Sequence, residues 1–263
     1  HSLGLLYSAF TYFCGFKVNS GEYKLMGLAP YGEPKYQNII IDNLIDIKND
    51  GSYRLNLKYF DYCTGFKMTN TSFNRLFGKK NRTNESQITK NDMDIAASIQ
   101  KVTEEVVLKM ARNIKKETGE KNLCLAGGVA LNCVANGKLL KENIFDNIWI
   151  QPAAGDAGGS LGAALAFWYI EKGNKREINQ EDNMKGSYLG SEFSQDEIER
   201  ELNSVGANYQ TFDYEKLIDE TSEYLSKQKA IGWFQGRMEF GPRALGGRSI
   251  LGDPRSDKMQ KNL

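Results

Sequence analysis

Histidine is nearly absent from this chain: His1 is the only one among 263 residues. A metal site built from several imidazoles is therefore excluded within the chain, and so is a Ser-His-Asp triad that uses any other histidine. The four cysteines fall at scattered spacings without a CxxC pair. Three of them have apolar neighbours, so we expect buried free thiols, which suit a reducing cytoplasm.

Net charge and long apolar runs are lacking as well. The 34 Lys and Arg residues balance 33 Asp and Glu residues to a formal charge of +1. This balance argues against a nucleic-acid partner and against a membrane-surface role. No apolar run reaches the length of a transmembrane helix, and no signal peptide is visible. We therefore expect a cytoplasmic protein with neither nucleic acid nor membrane as a partner.

Hydrophobic residues make up 40% of the chain, which is enough for a core, and the length suits one large domain or two small ones. Residues 91–119 predict the clearest helix, because their apolar residues recur at steps of three and four. Asn91 can cap this helix and Gly119 can end it. Its single apolar face predicts packing across a sheet, and residues 45–62 predict a β-hairpin.

Residues 122–162 pass twice from an apolar run through glycines into a helix-like segment. The first run ends at Gly127 and Gly128, and the second leads into the sequence Gly155-Asp156-Ala157-Gly158-Gly159. Glycine lets backbone N–H groups approach an anion closely, and the following helix points its positive end at the same place. Two such turns within about one βαβ unit favour a phosphate or nucleotide site.

A second concentrated patch, residues 236–255, contains Arg237, Arg243, Arg248 and Arg255. Arginine forks bind carboxylate and phosphate groups through two parallel hydrogen bonds, so the cluster is a candidate anion site. The alternative is that these arginines pair with acidic side chains or backbone carbonyls and lock an irregular loop.

Lys24 is a further candidate cation, because it lies in an otherwise apolar stretch, residues 22–32, that glycines bound. Its stem can pack while its charge reaches water. Alternatively, its charge can face a carboxylate or phosphate of a substrate.

Five segments of the chain carry distinctive motifs: HSLGLLYSAFTYF at 1–13, GEYKLMGLAPYG at 21–32, CLAGGVALNCVANGKL at 124–139, IQPAAGDAGGSLGAAL at 150–165 and GWFQGRMEFGPRALGGRSILGDPR at 232–255. Together they resemble the O-carbamoyltransferases of the NodU/CmcH type. They span nearly the whole chain in the order that the family has. One departure is Gly247, where the family usually carries Asn.

The resemblance implies an α/β protein with two parts. Residues 1–186 are similar to the second part of an ASKHA (actin/hexokinase-like ATPase) carbamoyltransferase domain. Residues 187–263, after a charged linker near 172–186, comprise a connecting segment and the start of a YrdC-like domain. In this family carbamoyl phosphate and ATP form a carbamoyl-adenylate, and the carbamoyl group then passes to a hydroxyl of a sugar or natural-product acceptor. A divalent metal, iron or magnesium, helps to hold the nucleotide phosphates.

Matching motifs carry the family's roles to single positions of this chain. Contacts with carbamoyl phosphate, adenylate or another reacting group are implied for Lys24, Arg243 and Arg248. Nucleotide contacts are implied for Gly127, Gly128, Asn132, Gly155, Gly158, Gly159 and Arg237. Asp156 matches the metal-binding aspartate.

The family also has an HxxxH metal pair upstream of the segment that begins here with His1, and a KxR phosphate motif downstream of residues 248–251. Neither is present in this sequence. We therefore expect an internal fragment that is inactive alone and binds metal weakly. We expect His1 to have a structural or incidental role, and a homodimer could cover exposed apolar surface.

Three other interpretations remain at this point. The first is an ASKHA-fold sugar or acid kinase, which leaves the arginine-rich patch unexplained. The second is a non-catalytic nucleotide-binding domain. The third is threonylcarbamoylation of tRNA, which the balanced charge does not favour.

Overall fold

The computed structural model describes residues 1–84, 86–178, 181–259 and 263. The chain divides into two compact units, His1–Asp156 and Ala157–Leu263. The functional boundary expected after residue 186 lies inside the second unit and stays a prediction. Part of the expected linker, residues 179 and 180, lies outside the described residues, as do residues 260–262 of the expected second part.

The first unit is mostly helical, with two small sheets. Its helices are α1 (Leu3–Phe13), α2 (Glu22–Leu28), α3 (Gln37–Asn43), α4 (Thr71–Leu76), α5 (Lys90–Thr118) and α6 (Cys133–Lys141). Its strands are β1 (Ile45–Ile47), β2 (Tyr53–Leu55), β3 (Asn122–Leu125) and β4 (Asn147–Ile150). Strands β1 and β2 pair antiparallel, whereas β3 and β4 pair parallel with Leu123 opposite Ile148.

The expected hairpin is confirmed, but it is shorter than residues 45–62. Only three residues of each strand pair, with Ile45 opposite Leu55. The chain then turns into the 3-10 segment Leu57–Tyr59.

Helix α5 is the central element of the first unit, and its cap differs from the prediction. Thr89, and not Asn91, is the N-cap: its hydroxyl accepts the N–H of Asp92 at 3.3 Å, and the Asp92 carboxylate accepts the N–H of Thr89 at 2.9 Å. This reciprocal capping box satisfies two donors at once, which Asn91 cannot do. Gly119 ends the helix with φ +68°, as predicted.

The apolar face of α5 does not simply cross a sheet, which corrects the prediction. Its amino-terminal half, with Ile95, Ile99 and Val102 fully buried, packs in the same core as helices α1 to α4. Further along, Ala111 packs with Leu139 and Phe145 against side chains of β3 and β4. At 29 residues the helix is about 43 Å long, far more than two four-residue strands can cover.

The cysteines also correct an expectation. Only Cys14 is buried, whereas Cys63, Cys124 and Cys133 are exposed, and all four are free thiols. Successive side chains of a strand point to opposite faces. In β3, Leu123 and Leu125 therefore pack against the core while Cys124, between them, faces outward.

The second unit contains α7 (Gly159–Ala166), α8 (Gln195–Ser204), α9 (Tyr214–Ser226), β5 (Ile231–Phe234) and β6 (Arg248–Leu251). Strands β5 and β6 pair antiparallel, with Trp233 opposite Ser249. Among the described residues, no helix is both long and apolar enough to cross a membrane.

Replacing Thr89 with Ala tests the cap of the central helix. We expect Thr89→Ala to lower the free energy of unfolding by about 1 kcal/mol, because the N–H of Asp92 loses its acceptor. Urea denaturation followed by circular dichroism measures the change. Thr89→Ser retains the hydroxyl and is the matched control, so an equal loss in both variants would contradict the capping role.

Candidate functional site

Strands β3 and β4 end side by side, and the two glycine turns begin where they end. The N–H of Gln151 donates to the carbonyl of Leu125 at 3.1 Å, which extends the strand pairing by one step. Beyond it, the N–H of Gly127 donates to the carbonyl of Ala154 at 2.7 Å. The carboxyl ends of neighbouring parallel strands are the usual location of ligands in α/β proteins.

The first turn has a backbone that only glycine adopts easily. Gly127 has φ +100° and ψ 161°, and the chain then enters the 3-10 segment Gly128–Leu131 before α6. A Cβ atom built on Gly127 or on Gly128 would meet no other atom within 4 Å. The space above this turn is therefore open to a ligand.

The second turn approaches the first and carries its own strained residue. A Cβ atom on Gly155 would lie 3.9 Å from the Cα of Gly128. Ala153, buried at 3% exposure, has φ +53°, which is uncommon for a residue other than glycine. Sequence reasoning missed Ala153, because no motif marks a strained alanine. Gly158 caps α7 and Gly159 begins it, both in the second unit.

Asn132, an expected nucleotide contact, has its side chain buried under the first turn. Its Oδ1 accepts the N–H of Ala135 at 3.0 Å, and it therefore caps α6. Its side-chain amide also exchanges two hydrogen bonds with that of Gln100 on α5, at 2.9 and 3.1 Å. The described contacts of this side chain are structural, so a nucleotide contact there would come from the backbone.

Lys24 lies on the exposed side of α2. This helix lies beside the start of α6, since the sulfur atoms of Met26 and Cys133 are 3.9 Å apart. The exposed position agrees with a charge that reaches water, and the role of Lys24 towards a substrate stays a prediction.

The expected metal does not fit the described residues by themselves. Asp156 is exposed and begins the 3-10 segment Asp156–Gly158. Within the described part of the chain, no group of three or more His, Cys, Asp or Glu side chains could hold a metal ion. A lone carboxylate is a poor site for a transition metal, which prefers several ligands including imidazoles.

In the second unit, the arginine-rich loop folds around a buried carboxylate, that of Glu239. Its side chain is fully buried and accepts the N–H groups of Leu245 at 2.6 Å, Gly247 at 2.8 Å and Arg248 at 3.3 Å. The guanidinium of Arg248 adds a hydrogen bond at 3.0 Å. Burial alone would raise the pKa of Glu239, but the Leu245 N–H and the other donors lower it to about 2.

Most of the arginines in this loop have partners inside the protein. Arg248 donates to Glu239 and to the carbonyl of Gly241, and Arg255 pairs with Asp253 at 2.7 Å. Arg237 pairs with Glu192 at 3.2 Å and is half exposed. Arg243 lies half buried on the same loop. The alternative in which arginines pair within the protein and lock the loop therefore holds for Arg248 and Arg255.

Gly247, which departs from the family pattern, is closely surrounded. A Cβ atom there would lie 2.8 Å from the carbonyl oxygen of Arg237 and 3.2 Å from the carboxyl carbon of Glu239. In this chain the position has no room for a side chain unless the loop moves.

Comparison with known proteins assigns these features to a family. Residues 1–165 match the carbamoyltransferase N-terminus family, and residues 222–263 match the carbamoyltransferase C-terminus family. The chain belongs to the carbamoyltransferase family. The site described above on β3 and β4 lies within the first match, and the core of the Glu239 loop lies within the second.

Several relatives of this carbamoyltransferase chain match it along nearly its whole length. It is 61% identical over 262 residues to uncharacterized protein sll1178 of Synechocystis, covering 99% of this chain and 43% of that protein. It is 37% identical to nodulation protein NolNO of Sinorhizobium fredii, and this match covers 97% of the chain and 35% of that protein. It is also 37% identical to nodulation protein NolO of Bradyrhizobium diazoefficiens, and this match covers 97% of the chain and 44% of that protein. The chain thus spans less than half the length of these relatives.

The conformation of the first turn predicts a difference between its two glycines. We expect Gly127→Ala to lower the free energy of unfolding by about 1–3 kcal/mol, because a Cβ atom is strained at φ +100°. Gly128→Ala is the matched control, since its backbone is not in the left-handed region and the added methyl meets open space. Urea denaturation of both variants measures the contrast, and equal losses would contradict it.

The buried carboxylate predicts acid sensitivity of the second unit. Because the pKa of Glu239 falls from 4.5 to about 2 on folding, its stabilisation is complete above pH 4.5. It is lost as the pH falls through about 2. We expect Glu239→Gln to unfold at a lower temperature than the unmodified chain above pH 4.5, with the difference shrinking towards pH 2. Thermal unfolding across this range measures it, with Glu192→Gln as an exposed control; a difference independent of pH would contradict the assignment.

Proposed function

We propose that this chain contributes the nucleotide-binding part of an ATP-dependent O-carbamoyltransferase. Carbamoyl phosphate is the carbamoyl donor, a carbamoyl-adenylate is the intermediate, and a hydroxyl of a small-molecule acceptor is the final carrier. We further propose that the first part has the ASKHA arrangement and that the second begins a YrdC-like domain. The family matches support carbamoyl transfer in general, and the names of the nodulation proteins do not state an acceptor.

One observation carries the proposal: both glycine turns lie at the carboxyl ends of β3 and β4, joined by the hydrogen bond from Gly127 to Ala154. Open space above Gly127 and Gly128 leaves room for a phosphate chain. Helix α6 follows the short 3-10 segment that leaves this turn, so we propose that its amino end adds a positive dipole at the same edge.

In the transfer step, the hydroxyl oxygen of the acceptor bonds to the carbamoyl carbon. The bond from that carbon to the adenylate phosphate oxygen breaks, AMP leaves, and the hydroxyl proton passes to a base or to water. The chain's part is to hold the leaving phosphate, which backbone N–H groups of the first turn can stabilise as its charge develops. Because the described residues do not form a metal site, no step here is assigned to a metal.

In the second unit, Arg237 and Arg243 are the proposed contacts for an anionic group of carbamoyl phosphate or adenylate. Arg248 has a different role, because the Glu239 carboxylate that holds its guanidinium is fully buried, whereas the partner of Arg237, Glu192, is half exposed. We propose that it keeps the loop in shape while the other two arginines face the ligand.

Adding one methyl group to the turn tests nucleotide binding. We expect Gly128→Ala to weaken ATP affinity by about tenfold or more, because the methyl enters the space that phosphates would use. Isothermal titration calorimetry with ATP measures the affinity. Gly137→Ala on α6 is the matched control, since a Cβ atom there also meets open space but lies within the helix.

If the two variants have the same ATP affinity, or if the unmodified chain does not bind ATP, the proposed site is wrong. Carbamoyl transfer itself is measured with labelled carbamoyl phosphate in a polypeptide that carries this chain with whatever its gene encodes on either side. Transfer of the ATP γ-phosphate to the acceptor would instead indicate a kinase and overturn the proposal.

A further inference from the structure

A buried polar cluster on α5 connects the core of the first unit to the first glycine turn. Gln100 and Glu104, one helical turn apart, are each only 4% exposed. Polar side chains at such positions are costly unless every group is hydrogen-bonded. The proposed function does not use either residue, and the helix pattern of the sequence marks neither as special.

The amide of Gln100 has a partner on each side. Its Nε2 donates to Glu104 Oε1 and to Asn132 Oδ1, both at 3.1 Å. Its Oε1 accepts the hydroxyl of Tyr7 at 2.9 Å and the side-chain N–H of Asn132 at 2.9 Å. Burial, and next the Glu104 carboxylate, raise the pKa of Tyr7, so its hydroxyl stays a donor.

The orientation of these amides matters because the two ends of an amide have nearly the same shape but opposite hydrogen-bonding roles. An ionised carboxylate can only accept, so Glu104 requires the NH₂ end of Gln100 to face it. The oxygen of Gln100 then faces Asn132 and requires its NH₂ end. The oxygen of Asn132 then accepts both from the NH₂ end of Gln100 and from the N–H of Ala135, and the second bond caps α6.

We propose that Glu104 and Gln100 are positioning residues for the first glycine turn. The charge of Glu104 orients the amide of Gln100, which orients that of Asn132, and Asn132 joins the turn to α6. Lys138 on α6 pairs with the Glu104 carboxylate. This inference rests on the proposed function, because the turn that is positioned is the one proposed to hold the nucleotide.

Substitutions that exchange Glu and Gln test this relay without changing packing, since the two side chains have nearly the same size. In Glu104→Gln, Lys138 attracts the new amide oxygen and leaves its NH₂ end facing Gln100. The amide of Gln100 must then turn over, Asn132 must follow, and the cap at Ala135 loses its acceptor. Glu105→Gln is the matched control, because Glu105 is the next residue of α5, is about a third exposed and pairs with Lys109.

The double variant Gln100→Glu with Glu104→Gln exchanges the charge between the two positions. A carboxylate at position 100 still accepts from Tyr7 and from the NH₂ end of Asn132, and the amide at position 104 can donate to it. Its second oxygen replaces the Nε2 that donates to Asn132 Oδ1 in the unmodified chain, so that one hydrogen bond is not restored. Because both oxygens of a carboxylate are acceptors, position 100 no longer forces Asn132 to turn over, and the N–H of Ala135 keeps the oxygen of Asn132 in place. A role in packing alone predicts no such recovery, since all the variants have the same volume.

The experiment measures amide hydrogen exchange at residues 128–135 without nucleotide, and ATP affinity by calorimetry, for the single, double and control variants. We expect Glu104→Gln to speed exchange and weaken ATP binding, each by about fivefold, as for the loss of one helix N-cap. The double variant should recover part of both losses, and Glu105→Gln should resemble the unmodified chain.

Exchange in Glu104→Gln that equals that of Glu105→Gln would overturn the proposal, as would a double variant that recovers nothing. Faster exchange with unchanged ATP affinity would also overturn it, because the turn would not need this support to bind. If the unmodified chain does not bind ATP, the proposed function fails, while the exchange measurements still decide whether the relay positions the turn.

Discussion

The parallel pairing of β3 with β4 is the interaction on which the candidate site depends. Each strand has only four residues, yet in-register pairing makes both end at the same edge of the first unit. The chain leaves each strand through a turn with a positive φ, at Gly127 after β3 and at Ala153 after β4. Most residues other than glycine are strained in that conformation. One hydrogen bond, from Gly127 to Ala154, joins the two turns. Without the strand pairing, two glycine-rich segments some 30 residues apart would have no reason to meet.

Helix α5 supports this edge in two chemically different ways. Its apolar residues form the core with the preceding helices, which explains its length and its amphipathic pattern. Its buried polar residues form a second system that reaches Asn132 and α6. Such a network is stabilising only when every donor and acceptor has a partner, and here Gln100 uses both ends of its amide. Helix α5, whose apolar pattern is typical of a core helix, thus also carries polar side chains that hydrogen-bond with a residue of the candidate site.

The loop of the second unit also buries a polar group together with its hydrogen-bond partners, but here the group is a charged carboxylate instead of an amide. Backbone N–H groups that converge on one point form the kind of concavity that binds anions. Here the protein's own carboxylate, Glu239, occupies that point and holds three of them. In this dense group of arginines and glycines, part of the donors thus binds an anion that belongs to the protein itself. Membership of the carbamoyltransferase family is compatible with both uses.

Local patterns in the sequence determined the features that depend on neighbouring residues: the two strand–glycine–helix units, the end of α5 at Gly119 and the hairpin near residue 50. These follow from backbone conformation and short-range hydrogen bonds, which a few consecutive residues specify. Tertiary structure alone decided that three cysteines are exposed, and that Arg248 binds Glu239 while Asn132 binds Gln100. Most of these outcomes depend on which groups approach each other in space, and for a buried polar side chain that partner decides whether its desolvation is offset.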